Sequence, residues 1–187
     1  MKNQTGMMLI EALVSLVIAA IALLGTVTLM AKSTRGEMES YQRVQALTLV
    51  QDMASRINAN RQVAACYSNG ATGLSTTSAP LPACATGAPT PTANQAATAN
   101  ADLAAWKNAL LGSSEVSGSS KVGAMIGAVG CVTQVDAANQ IYQVSVAWQG
   151  LMPTAKPALS CGQASIGDTN FRRVISVQIQ IGNLTTT

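Results

Sequence analysis

The chain of 187 residues is 10% charged and 3% aromatic, with a formal net charge of +3, four cysteines and no histidine. That length allows one globular domain beside a membrane segment, and so small a charge gives no ground for nucleic-acid binding. Four cysteines without histidine suit disulfides in an oxidising compartment far better than a metal site.

A polar leader, residues 1–6, carries Lys2 and ends in Gly6, and the chain then runs apolar over residues 7–31. Glu11 is the only charge in that run; it has no proline, and only Ser15, Gly25, Thr26 and Thr28 interrupt it. The segment therefore reads as a membrane-spanning helix of about 20 to 25 residues. A lone carboxylate in hydrocarbon costs roughly 2.5 to 3.5 kcal/mol on insertion scales, so Glu11 calls for a cationic partner and marks a function. A conventional signal peptide fits poorly, because the apolar part is too long, an acid lies near its start, and it passes into an amphipathic helix instead of a loop. A plain single-pass anchor leaves Glu11 unexplained.

A basic leader, a glycine and an apolar run with glutamate as its fifth residue closely resemble a type IV prepilin signal. The resemblance implies that a membrane-embedded prepilin peptidase cuts between Gly6 and Met7 and methylates the new N-terminus at Met7. A glycine at the cut suits close approach of a protease to the backbone. The freed ammonium of Met7 would supply the cation that Glu11 lacks, in the same chain or, as the family implies, on the neighbouring subunit during assembly. Two opposite charges are tolerable in an apolar bundle where one is not, and the dipole of the nearby helix N-terminus favours the carboxylate. Met7 stands where phenylalanine is usual and Met8 where serine or threonine is usual, but the glycine and the glutamate remain. Loss of Lys2 with the leader would lower the charge to +2, ten Lys plus Arg against eight Asp plus Glu. The stretch Ala22-Leu23-Leu24-Gly25 and residues 40–61, ending in Arg56-Ile57-Asn58-Ala59-Asn60-Arg61, look like the PilV-type minor pilins of type IV pili. Many major pilins carry a helix-breaking proline in the apolar half; this chain has none before Pro80, so proline-driven melting of its first helix is not expected.

Residues 32–64 continue the helix as an amphipathic segment, with Val44, Leu47, Val50, Ala54 and Ile57 recurring at three- and four-residue spacing. A single helix over residues 7–64 would be roughly 85 Å long, so half of it would protrude. That suits a filament subunit whose N-terminal half packs among like helices. Arg35, Arg43, Arg56 and Arg61 interleave with Glu37, Glu39 and Asp52 in the pattern of a solvated helix surface.

Residues 65–187 read as an exported head. Residues 68–99 form a low-complexity surface loop with Pro80, Pro82, Pro89 and Pro91. A short helix follows, with Asn100 as its cap, Leu103, Trp106 and Leu110 on a core-facing side, and Gly112 as its stop. Strands are expected over residues 130–135, over Tyr142, Val144, Val146 and Trp148, and over Phe171, Arg173, Ile175, Val177, Ile179 and Ile181. The first two would pair across the Asp136-Ala137-Ala138-Asn139 turn. The layout is α+β and pilin-like, a long helix packed on an antiparallel sheet. Four cysteines permit three pairings among which the sequence does not choose. The pairing expected is Cys66–Cys84, closing the flexible loop, with Cys131–Cys161, tying a strand to a later excursion. Flanking charge leaves the membrane orientation ambiguous, and the cysteines place residues beyond about 32 outside the cytoplasm.

The sequence has no histidine, no Gly-x-Ser-x-Gly elbow, no Walker loop and no promising carboxylate pair, so neither an enzyme nor a cofactor is expected. Asp168-Thr169-Asn170 lacks the further ligands of a calcium loop and reads as a solvated turn. Gly123-Ala124-Met125-Ile126-Gly127 reads as strand and turn, and Asn183-Leu184-Thr185 is a formal sequon of little weight in the bacterial protein that the prepilin resemblance implies. The function implied by the resemblance is a minor pilin that copolymerises with other major and minor pilins through its N-terminal helix to prime or cap the pilus. Its other partners would be the prepilin peptidase and the inner-membrane assembly platform. Before assembly it would be a single-pass protein of the inner membrane with a periplasmic head, and afterwards part of the surface pilus. A type II secretion pseudopilin and an adhesive or DNA-capturing tip subunit are the alternatives; beyond Arg172-Arg173 no basic cluster supports DNA.

Overall fold

The computed structural model describes residues 5–75, 84, 90–112, 116–121 and 125–182, with the backbone alone at 5–8, 116, 120 and 121. Pro80, Pro82 and Pro89, Gly123, Ala124 and the sequon at 183–185 lie outside the described residues, and of Gly6 and Met7 only the helical backbone is described. The chain divides into two compact units, Met1–Tyr41 and Gln42–Thr187.

Helix α1 spans Thr5–Ala59. Leucine, alanine and methionine dominate it, and no proline interrupts it. It stops five residues short of the expected end at Ala64, and Arg61–Tyr67 continue as a 3-10 turn with Val63 off helical geometry at φ −123°. The cause is local. Asparagine is a poor helix former, and the Asn60 amide donates instead to Tyr67 Oη (3.3 Å) and to the Gln95 carbonyl (3.0 Å).

In the second unit, Ala46, Val50, Met53, Ala54 and Ile57 form the buried face of α1, whereas Val44 and Leu47 are exposed. Val50 and Ile57 point with Ala46; at 100° per residue Val44 lies about 160° round the helix from Ala46, which takes it off the core side. Helix α2 spans Ala93–Leu110 and begins eight residues before the expected start, because Thr92 and Gln95 form a capping box. Asn100 is thus an interior position. The loop expected over 68–99 ends at Thr92, and within it Leu74 bridges Gly130.

Strands β1 (Val116–Ser117) and β2 (Ser120–Lys121) make a small hairpin. The main sheet is antiparallel in the order β3 (Val129–Asp136), β4 (Ile141–Gln149), β5 (Arg172–Gln180). The expected turn joins β3 to β4, with Asp136 Oδ1 accepting from the Asn139 N–H at 3.0 Å. One face of β4, comprising Tyr142, Val144, Val146 and Trp148, is buried against α1 residues, α2 and the 3-10 turn. Ser145 and Ala147 are buried on the other face, where Val129, Cys131, Cys161 and Ile166 form a second cluster. Both faces of β4 are covered, which is why it departs from simple alternation.

Trp106 is fully buried, and its indole N–H donates to the Leu49 carbonyl of α1 at 2.9 Å. A side chain at Gly130 would sit 2.5 Å from the Trp106 ring, so the strand needs glycine there to let α2 approach. The result is the α+β, pilin-like architecture: one long helix followed by a three-stranded antiparallel sheet.

Candidate assembly interface

In the first unit the large hydrophobics of α1 are exposed, from Val14 at 52% to Met30 at 74%. The helix is long and apolar enough to cross a membrane. So much uncovered apolar surface needs lipid or other protein over it. The hydroxyls of the run answer to the same constraint. Ser15 donates to the Glu11 carbonyl (2.8 Å), Thr26 to Leu23 (2.8 Å) and Thr28 to Leu24 (2.6 Å), so each polar side chain is satisfied inside its own helix. Glu11 is the exception. Its carboxylate is exposed and has no hydrogen bond or ion pair among the described residues.

The second unit carries both expected disulfides, Cys66–Cys84 and Cys131–Cys161. The first ties the 3-10 turn to the loop, and the second ties β3 to the long connection between β4 and β5.

A polar network that the sequence reading missed fixes the end of α1 to α2. Arg56, expected on a solvated face, is half-buried and bonded to Asp52 (2.9 Å) and to Asp102 of α2 (2.8 Å). Asp102 also accepts from the buried Tyr67 hydroxyl at 2.6 Å. Asp52 and Arg56 stand four apart, the spacing of a helix ion pair, which was the available signal. The hydrogen bond to Asp52 holds the Arg56 guanidinium above its usual range.

Burial, reinforced by Asp102, pushes the Tyr67 phenol well above its ordinary value, and burial raises Tyr142 too. Phenols of the unfolded chain ionise near pH 10. Below that pH the contribution of these two groups is fully present; above it the unfolded chain loses protons first and stability falls. The melting temperature of the head is expected to drop above about pH 10, and Tyr67→Phe should flatten part of that slope. A pH-independent melting curve for the native chain would contradict this.

Two adjacent arginines hold the β4–β5 connection from opposite sides of the sheet. Arg172 is fully buried and donates to the carbonyls of Leu159, Cys161 (2.8 Å) and Pro157 (3.0 Å). Desolvation lowers its pKa. Arg173 donates to Thr154 Oγ1 (2.6 Å) and the Met152 carbonyl (2.7 Å). Assigning Phe171, Arg173 and Ile175 to the inward row left Arg172 outside; the second core cluster makes its parity an inside one as well. Asp168 accepts from the Asn170 N–H at 2.9 Å, as a solvated turn does.

Residues 28–104 match a family model described as Tt1218-like, Type IV pilin Tt1218. The matched region runs from the end of the apolar stretch through the rest of α1, the 3-10 turn and most of α2. No curated relative and no solved structure matches the chain. The family match, the long apolar helix and the disulfide-bonded α+β head support a pilin role and interaction with other pilin subunits. They are consistent with a protein anchored in a membrane and later held in a pilus.

Proposed function

We propose that the chain is a minor pilin of the PilV type, which copolymerises with other pilins through α1 to prime or cap type IV pilus assembly. One observation carries the reading: Glu11 is a partnerless carboxylate among the described residues, set in an exposed apolar helix. A subunit that adds its N-terminal ammonium to the Glu11 of a neighbour makes the charge tolerable in the bundle. In this reading the prepilin peptidase cuts between Gly6 and Met7 and methylates Met7, the head lies in the periplasm, and the inner-membrane platform extracts the subunit into the filament. The DNA-capturing alternative gains nothing from Arg172-Arg173, because Arg172 is buried and Arg173 is engaged with loop oxygens.

Deleting the gene is expected to reduce surface piliation, counted by electron microscopy and restored by the native chain. Normal piliation with failed secretion of a folded exoprotein would replace this reading with a pseudopilin; normal piliation with only adhesion or DNA uptake lost would replace it with a binding tip.

Processing gives a separate check. Intact mass of the membrane-extracted protein should show loss of residues 1–6 and one added methyl, and Gly6→Val should leave the precursor uncut. A cut near Ala31 would instead indicate a conventional signal peptide.

A further inference from the structure

Asn69-Gly70 is the one Asn-Gly dipeptide of the chain. It follows the 3-10 turn and helps close the outer edge of β3, where Gly130 and Val132 turn their backbone groups away from β4. Leu74 and Gly130 exchange bonds at 2.7 and 2.9 Å, and the Val132 carbonyl accepts from the N–H groups of Asn69 (3.0 Å) and Gly70 (3.2 Å). The Val132 N–H donates to a side chain, Asn69 Oδ1, at 2.8 Å, and Asn69 Nδ2 donates to the Gly130 carbonyl at 3.4 Å. The carboxamide and backbone of Asn69 together do for Val132 what a paired strand residue would do, so the edge is covered.

An asparagine before glycine is chemically labile, because glycine has no side chain to keep its nitrogen away from the asparagine Cγ. Once solvent base removes the Gly70 amide proton, that nitrogen attacks Cγ, the Cγ–Nδ2 bond breaks, and ammonia leaves with a proton from water. Water then opens the cyclic imide at one of its two carbonyls, giving aspartate or an isoaspartyl linkage in place of Asn69. Gly70 is exposed, so the base and the water both have access. Hydrogen bonds oppose the first step: the Val132 carbonyl holds the Gly70 N–H, and the Val132 N–H holds the Asn69 carboxamide on the strand.

We propose that Asn69-Gly70 is a self-modification site gated by the edge of β3: it deamidates in the folded head when the loop over residues 69–74 lifts from Val132, and its products hold that edge less well. In the aspartate product a carboxylate oxygen replaces Nδ2 beside the Gly130 carbonyl, exchanging a hydrogen bond for a repulsion. In the isoaspartyl product an added backbone methylene also carries the Gly70 N–H off the Val132 carbonyl. The loop has little slack to absorb it, since it lies so close to β3 that a side chain at Gly73 would stand 2.6 Å from the Gly130 carbonyl oxygen. Each conversion is irreversible and leaves the edge more open than before.

The test compares the full-length protein in detergent micelles, at mildly alkaline pH, with the same chain denatured in guanidinium. Peptide mapping by mass spectrometry should find the amide replaced by an acid at Asn69 in both, ahead of every other asparagine, and at least about tenfold more slowly in the folded chain. Guanidinium below the unfolding transition should raise the folded-state rate in step with hydrogen exchange of the Gly70 and Val132 amides. Asn69→Asp should melt below the native chain and exchange its Val132 amide faster, while Asn94→Asp, in the exposed first turn of α2, should do neither. Equal rates in the folded and denatured chains, no conversion in the folded chain, or another asparagine converting first would each overturn the proposal. So would an Asn69→Asp head whose Val132 amide exchanges as the native one does. If that variant does not fold, the rate comparison on the native sequence decides. None of these results bears on the pilus reading.

Discussion

A Glu11→Ala chain is expected to insert in the membrane and fold its head normally, yet to be lost from filaments. The head has no stake in the substitution, because it folds around a separate core in residues 42–187. The filament has a large one. Every hydroxyl of the apolar run answers to a carbonyl of its own helix, whereas the Glu11 carboxylate has no such recourse among the described residues. If a neighbour's N-terminal ammonium is its partner, alanine leaves that ammonium unpaired in an apolar bundle, at roughly 3 kcal/mol or more, about a hundredfold in docking. Glu11→Gln should fail similarly, since it keeps the shape and loses the charge. Immunoblots of sheared pili against membrane fractions report incorporation, and thermal melting reports the head. Native incorporation of both variants would remove Glu11 from the assembly mechanism.

The architecture was legible where one pattern governed a segment. The apolar run follows from composition, the β3–β4 turn from its Asp and Asn, and the core side of α2 from periodicity; the Tyr142–Trp148 row also follows from alternation, although β4 is covered on both faces. Errors arose where two signals competed. Asn60 could extend α1 or bond to Tyr67 and Gln95, and tertiary contacts decided it. Thr92 and Gln95 form a capping box that a Ser/Thr/Ala/Pro-rich background disguised. Val44 and Leu47 satisfied the spacing rule but lie round the helix from Ala46, a difference that matters only once the head has chosen its face. The Tyr67–Asp102 contact joins residues 35 apart and leaves no mark in local pattern. Arg172 was unreadable because its burial depends on a loop with no regular structure folding over the back of the sheet.

Arg172 and Arg173 should therefore respond very differently to truncation, although they are neighbours with similar hydrogen-bond partners. Arg172 is fully buried, and among the described residues its Nε lacks a partner and no carboxylate bonds it. Desolvating the guanidinium costs several kcal/mol, and bonds from a charged donor contribute about 1.5 to 3 kcal/mol each, so the native arrangement is close to balance. Removing the side chain is not close to balance. Arg172→Leu leaves the carbonyls of Pro157, Leu159 and Cys161 facing an apolar cluster, and should cost about 3 to 5 kcal/mol. The connection between β4 and β5 would then be held mainly by the Cys131–Cys161 bridge, whose sulfurs should react faster with a mild reductant. Arg173 is more accessible, so water can replace it on Thr154 and Met152; Arg173→Ala should cost within about 1 kcal/mol. Denaturant melts of the full-length chain with timed alkylation of Cys131 and Cys161 would measure both effects. Equal destabilisation by the two substitutions would mean that the loop contacts count alike and that burial of Arg172 does not set their strength.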